Sequence, residues 1–79
     1  MNFDEALQWI ADLFEEPLEN VRPETLREAI PAWDSLGVLT LMAKLDEEFD
    51  IQLPEEEIQT LQKIEDILNI LKKHGKLNP

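Results

Sequence analysis

The sequence predicts an all-α fold, a small four-helix bundle with a long first loop and a short third helix. Three observations carry this. Apolar residues recur at one-face helical spacing in three stretches, residues 3–14, 35–49 and 63–73. Residues suited to helix ends flank them, with Asn2 and Asp34 ahead of the first two and Gly75 after the last. Pro17, Pro23 and Pro31 gather between the first two stretches, where they bar a continuous helix.

Asn2 can cap the first helix, with Glu5 three residues later in the capping-box position. Phe3, Leu7, Ile10 and Phe14 share one face, and Asp4, Glu5, Asp12, Glu15 and Glu16 cover the other. Glu15 and Glu16 are unfavourable at a helix C-terminus, and Pro17 ends the element. Residues 17–33 form a long connection, with one helical turn expected over 23–28 and Leu18, Val21, Leu26 and Ile30 pinning it to the bundle. The second helix, 35–49, carries two apolar stripes. Val38, Leu41, Met42, Leu45 and Phe49 form one, while Leu36, Leu39 and Ala43 form another, either covered by the loop or left for a partner. Pro54 opens a short third helix over 55–59 with three acids in its first turn, and Ile58 and Leu61 point inward. The last helix places Ile64, Ile67, Leu68 and Leu71 on one face and closes with Lys72, Lys73, His74 and Gly75. A single domain over 1–79 is expected, with 75–79 a frayed tail.

Seventy-nine residues suffice for one core near the lower size limit. Eighteen acidic against seven basic residues give a net charge of −11, which argues against nucleic acid and points to partners with basic docking surfaces. The chain has no cysteine, so neither disulfides nor protein thiol chemistry is on offer. Neither a signal peptide nor a membrane-spanning run is evident, so a cytoplasmic monomer without membrane insertion is expected. His74, the lone histidine, fits dipole compensation rather than catalysis. The acid runs 46–48 and 55–57 lack the Gly-punctuated spacing of a dedicated cation loop, so no metal site is assigned.

The informative stretch is Trp33-Asp34-Ser35-Leu36-Gly37. Asp34 as N-cap puts Ser35 at the helix start, where free N–H groups and the dipole favour an anion. Alone, Asp-Ser is merely a cap. Lacking a base, the Ser35 hydroxyl is not a competent nucleophile, yet it is a good attachment point for a phosphodiester. No catalytic residue is assigned, and no enzymatic activity is expected.

The residues beyond this cap are more specific. Asp34-Ser35-Leu36 leads into an apolar helix, then Glu47-Glu48-Phe49, then Leu53-Pro54. This ordered series resembles the acyl carrier protein family, most closely over residues 34–55. The resemblance implies an acyl-carrier-like bundle and a covalent 4′-phosphopantetheine on Ser35, installed by a separate phosphopantetheinyl transferase. The arm's thiol then holds an acyl group as a thioester for acyl-loading and acyl-transferring enzymes of lipid or fatty acid biosynthesis. By position, Asp34 matches the acid that engages the transferase and its metal. Leu36, Leu39 and Ala43 match the partner-binding stripe, with Asp46, Glu47, Glu55 and Glu56 supplying charge. Val38, Leu41, Met42 and Leu45, with Ile58, Leu61 and Leu68, match positions lining the acyl pocket. Without the resemblance they are ordinary core.

The sequence departs from the family in three places. Trp33 stands where a small residue usually precedes Asp-Ser, and Gly37 and Thr40 replace acids, leaving residues 36–45 with no acid and one base, Lys44. The departures imply a specialised pathway, lipid, polyketide-like or cell-surface, rather than general fatty acid synthesis. Gly37 also lowers helix propensity by about 1 kcal/mol relative to Ala, which predicts a mobile first turn. An aminoacyl or peptidyl carrier shares the same features, and an unmodified acidic helical adaptor for a basic partner is the alternative of a different class.

Overall fold

The computed structural model describes residues 1–78 and is all-helical, with four α-helices among those residues. These are α1 (Phe3–Leu13), α2 (Ser35–Phe49), α3 (Glu55–Gln59) and α4 (Ile64–Lys73). The bounds of α2 and α3 are those the sequence predicts, and α4 starts one residue later than expected.

Capping chemistry explains the ends. The Asn2 side chain accepts from the Glu5 N–H at 2.8 Å while the Glu5 carboxylate accepts from the Asn2 N–H at 2.9 Å, a complete capping box. α1 stops at Leu13, ahead of Pro17, because Glu15 turns left-handed at φ 53°. Its N–H then donates to Asp12 O and that of Glu16 to Ala11 O, closing a Schellman motif. α4 ends the same way with the residue better suited to it: Gly75 at φ 73° donates to Lys72 O, and Lys76 to Leu71 O.

The core is built from one face of each long helix. Leu7, Ile10 and Phe14 of the first stretch are buried together with Ala6 and Ala11. Phe3, expected on that face, is instead 45% exposed, because it occupies the first turn beyond the edge of the bundle. From α2, Val38, Leu41 and Leu45 are buried and Met42 and Phe49 half-buried. Ile58 is buried while Leu61, expected inward, is half-buried, and all four residues of the α4 face are buried.

The long connection differs most from expectation. Two short 3-10 turns, Leu18–Asn20 and Arg27–Ala29, replace the single turn over 23–28. Val21 and Ile30 pin it as expected, whereas Leu18 and Leu26 are exposed. Backbone bonds hold this part instead: Arg27 N–H donates to Gln62 O at 2.8 Å, Ile64 N–H to Thr25 O at 3.0 Å and Glu65 N–H to Pro23 O at 2.9 Å. The connection is thus strapped to the turn between α3 and α4, which frees the two leucines from any anchoring role.

The tail also corrects an expectation. Asn78 N–H donates to Met1 O at 2.7 Å, Met1 N donates to Lys76 O at 2.9 Å, and Leu77 packs against the core. Residues 75–78 are therefore tied down rather than frayed, and residue 79 lies outside the described residues. No helix among the described residues is long and apolar enough to cross a membrane.

Candidate functional site

Asp34 adopts an extended backbone, its carboxylate accepts from the Gly37 N–H at 2.9 Å, and its carbonyl accepts the first helical bond from Val38. Such a cap contributes about 1 kcal/mol. Ser35 is therefore the first residue of α2, exposed, at the end where the helix presents free N–H groups.

Two features immobilise this end. Trp33 is only 3% exposed and stacks on Phe14 of the first helical stretch, with centroids 5.2 Å apart and planes 19° from parallel. Its carbonyl accepts from Arg27 Nε at 3.1 Å, and the same guanidinium donates from Nη1 to Gln59 O at 3.2 Å. Residue 33 is thus clamped between α1 and the connection, and Arg27 extends the clamp to the end of α3. The second feature is Gly37. A Cβ there would lie 2.0 Å from Ala32 O, so the backbone just ahead of Trp33 crosses directly over the first turn of α2. Gly37 is required for this close approach, which replaces the mobile first turn expected from propensity with a packed one.

Neither Arg27 nor the role of Trp33 was visible as part of the site. A signal for Trp33 existed. Tryptophan just before the cap and Val38 five residues on have the spacing of a hydrophobic staple, and both join the core. Arg27 had no such signal, because its acceptors are backbone carbonyls of distant residues.

Beyond Ser35 the exposed stripe of α2 is apolar. Leu36 is 71% exposed, and Leu39 and Ala43 are exposed beyond it on the same helical stripe, which Glu47 continues. The second apolar stripe of α2 is thus uncovered by the loop. Asp46 accepts from Gln52 Nε2 at 3.2 Å, and Glu55 and Glu56 are exposed in the first turn of α3. Lys44, the lone base of this face, sits 3.8 Å from Glu48. Of the residues matched to an acyl pocket, Val38, Leu41, Leu45, Ile58 and Leu68 form closed core, and Met42 and Leu61 flank it half-buried.

These features define a class: a small helical domain that presents an exposed serine on a rigid, acid-capped helix start. Residues 33–71 match the phosphopantetheine attachment site family. Acyl carrier proteins are similar to the chain, with that of Clostridium acetobutylicum 42% identical over 41 residues, 52% of this chain and 53% of the relative. That of Bdellovibrio bacteriovorus is 37% identical over 43 residues, 54% and 55% of the two chains, and that of Campylobacter concisus 40% over 43, 54% and 56%. The chain spans about half the length of the curated relatives it matches. Residues 33–71 thus resemble a phosphopantetheine attachment site, and the relatives similar to the chain over about the same stretch are acyl carrier proteins. The matched domain indicates a covalently attached 4′-phosphopantetheine, and an exposed hydroxyl at a helix start fits a phosphodiester.

Proposed function

We propose that this protein carries an acyl group on a 4′-phosphopantetheine arm attached to Ser35 and delivers it to partner enzymes of a specialised lipid, polyketide-like or cell-surface pathway. The observation that carries the reading is the exposed Ser35, seated by the Asp34 cap and followed by the uncovered apolar stripe. When bound, the arm supplies the thiol on which the acyl group rides, which suits a chain without cysteine. The protein's own residues attach, position and recognise. Asp34 holds the helix start and faces the phosphopantetheinyl transferase. Leu36, Leu39 and Ala43 form the contact stripe for loading and transferring enzymes, with Asp46, Glu47, Glu55 and Glu56 steering basic surfaces toward it. The acid-free run from Leu36 to Leu45, its one base already paired with Glu48, favours dedicated partners over those that read an acidic ridge. Sheltering an acyl chain between Val38, Leu41, Leu45, Ile58 and Leu68 requires that closed core to part.

The test is intact mass spectrometry after incubation with coenzyme A, Mg²⁺ and a broad-specificity transferase. The protein gains one phosphopantetheine and a Ser35→Ala variant gains none. Failure to gain it with several transferases, in protein shown to be folded, would turn the reading to an unmodified adaptor. Loading the modified protein with acyl or aminoacyl donors then separates an acyl carrier from an aminoacyl one.

A further inference from the structure

Three of the seven basic residues, Lys72, Lys73 and Lys76, gather at the end of α4 beside His74. The negative pole of that helix accounts for Lys72 and Lys73. It does not account for the apolar side chains next to them. Phe3 is 45% exposed and Leu77 half-buried, and with Lys72 and Asn78 they line a cleft of about 360 Å³. That volume falls within the span of about 300–1,000 Å³ typical of small-molecule sites.

The walls of this cleft come from the start of α1 and the stretch after α4, and they are already joined. Met1 N donates to Lys76 O at 2.9 Å and Asn78 N–H to Met1 O at 2.7 Å. The cleft is held in shape before anything enters it, which spares a ligand the cost of ordering it.

Its charge sets it apart. The clefts beside α2 carry carboxylates: Asp12 and Glu48 in one, Asp46 in another, Asp34 and Glu15 in a third. Among the described residues this one carries Lys72 and no carboxylate. Lys72 is exposed and makes no ion pair among those residues. Asp4 and Glu5, the acids nearest Phe3 in sequence, stay out of the lining, and Glu5 is turned back onto the Asn2 N–H.

We propose that this cleft is a binding site for an amphipathic carboxylate, a small alkanoate whose chain lies on Phe3 and Leu77 and whose head group meets Lys72. The Asn78 side-chain amide supplies a donor for the second carboxylate oxygen. A neutral chain forgoes the ammonium and a cationic one is repelled by it, so chain and anion are both required. A free alkanoate brings a single negative charge to a molecule of −11, whereas an acidic protein or anionic lipid surface meets its whole field. The site is independent of Ser35. Phe14 stacks on Trp33 near that serine, and α1 carries Phe3 about 15 Å away along its axis, so both can be occupied at once.

The test is a ¹H–¹⁵N titration of the unmodified protein with octanoate below its micelle concentration, at constant ionic strength, with octanol and acetate as controls. Octanoate gives saturable shifts at the Phe3, Lys72 and Leu77 amides and at the Asn78 side-chain amide, and both controls bind more weakly. Phe3→Ser removes the shifts. Lys72→Gln weakens octanoate by about threefold, the share of one exposed ion pair, and leaves octanol unchanged. Both positions are exposed, so the core is untouched, and Lys44→Gln, which alters a base on α2, binds octanoate as the parent does. Octanol binding as tightly as octanoate would overturn the site and leave only an apolar patch. So would shifts centred on Val38 and Ile58, which would put the chain in the core, or the absence of any saturable shift. The modification of Ser35 is decided separately, by the mass measurement, so the carrier reading stands or falls apart from this site.

Discussion

At the scale of single residues, Gly37 sets two effects against each other. Helix propensity favours Gly37→Ala by about 1 kcal/mol. The added methyl, however, would lie 2.0 Å from a backbone carbonyl that has no rotamer to change. Overpacking of this kind costs about 1–3 kcal/mol, more where backbone must move, so Gly37→Ala is expected to lower stability by about 2 kcal/mol in urea titration. A stabilised variant would show that residues 31–33 do not cross the helix. Glu15 runs the opposite way. It holds a left-handed backbone and a negative charge at the C-terminus of α1. Glu15→Gly relieves both and is expected to stabilise by about 1 kcal/mol on the same measurement. Asp34 and Ser35 were legible in the sequence because a cap acts on its own helix. The reason for Gly37 was not, because it depends on a neighbouring segment crossing the helix.

Among the elements, α2 was readable throughout, since its ends are set by local chemistry and its two stripes by one period. Which stripe faces the core is decided elsewhere, by the buried residues of the other elements that join Val38, Leu41 and Leu45 in one cluster. The connection was readable only as far as its prolines. Its strapping to the α3–α4 turn uses backbone groups, which leave no mark in side-chain pattern. Among the described residues, Arg27 is the one side chain that hydrogen-bonds across this seam, with two charged hydrogen bonds to the carbonyls of Trp33 and Gln59. Arg27→Gln is expected to cost about 1–2 kcal/mol and to speed amide exchange around Gln59 and Trp33 more than in α1. Equal acceleration everywhere would mean the residue stabilises without coupling the two segments. The exposed stripe gives the complementary outcome. On the carrier reading proposed above, Leu36→Ala is expected to shift stability by less than about 0.5 kcal/mol while raising the KM of a loading enzyme for the holo protein.

For the molecule as a whole, charge outweighs pairing. The net charge is −11, and among the described residues the two ion pairs, Lys44–Glu48 and Lys63–Glu65, both lie on exposed side chains. Such pairs contribute little, so most carboxylates repel one another across a small body. Raising ionic strength is expected to stabilise the fold, and a gain of about 1 kcal/mol would lift the unfolding midpoint by about 4–8 °C in calorimetry. Mg²⁺ at matched ionic strength should add to the shift by neutralising the acid runs at 46–48 and 55–57. Insensitivity to both would show that self-repulsion is not what limits this fold. The backbone bonds between Met1 and residues 76 and 78 bear on tethering. Because the first and last described residues run side by side, a tether fused to either end would leave the domain from the same pivot. The reach of Ser35 about that pivot would then be nearly the same whichever end is fused, and a short bridge joining the ends would turn the fold into a ring that can be reopened in the exposed 18–20 turn.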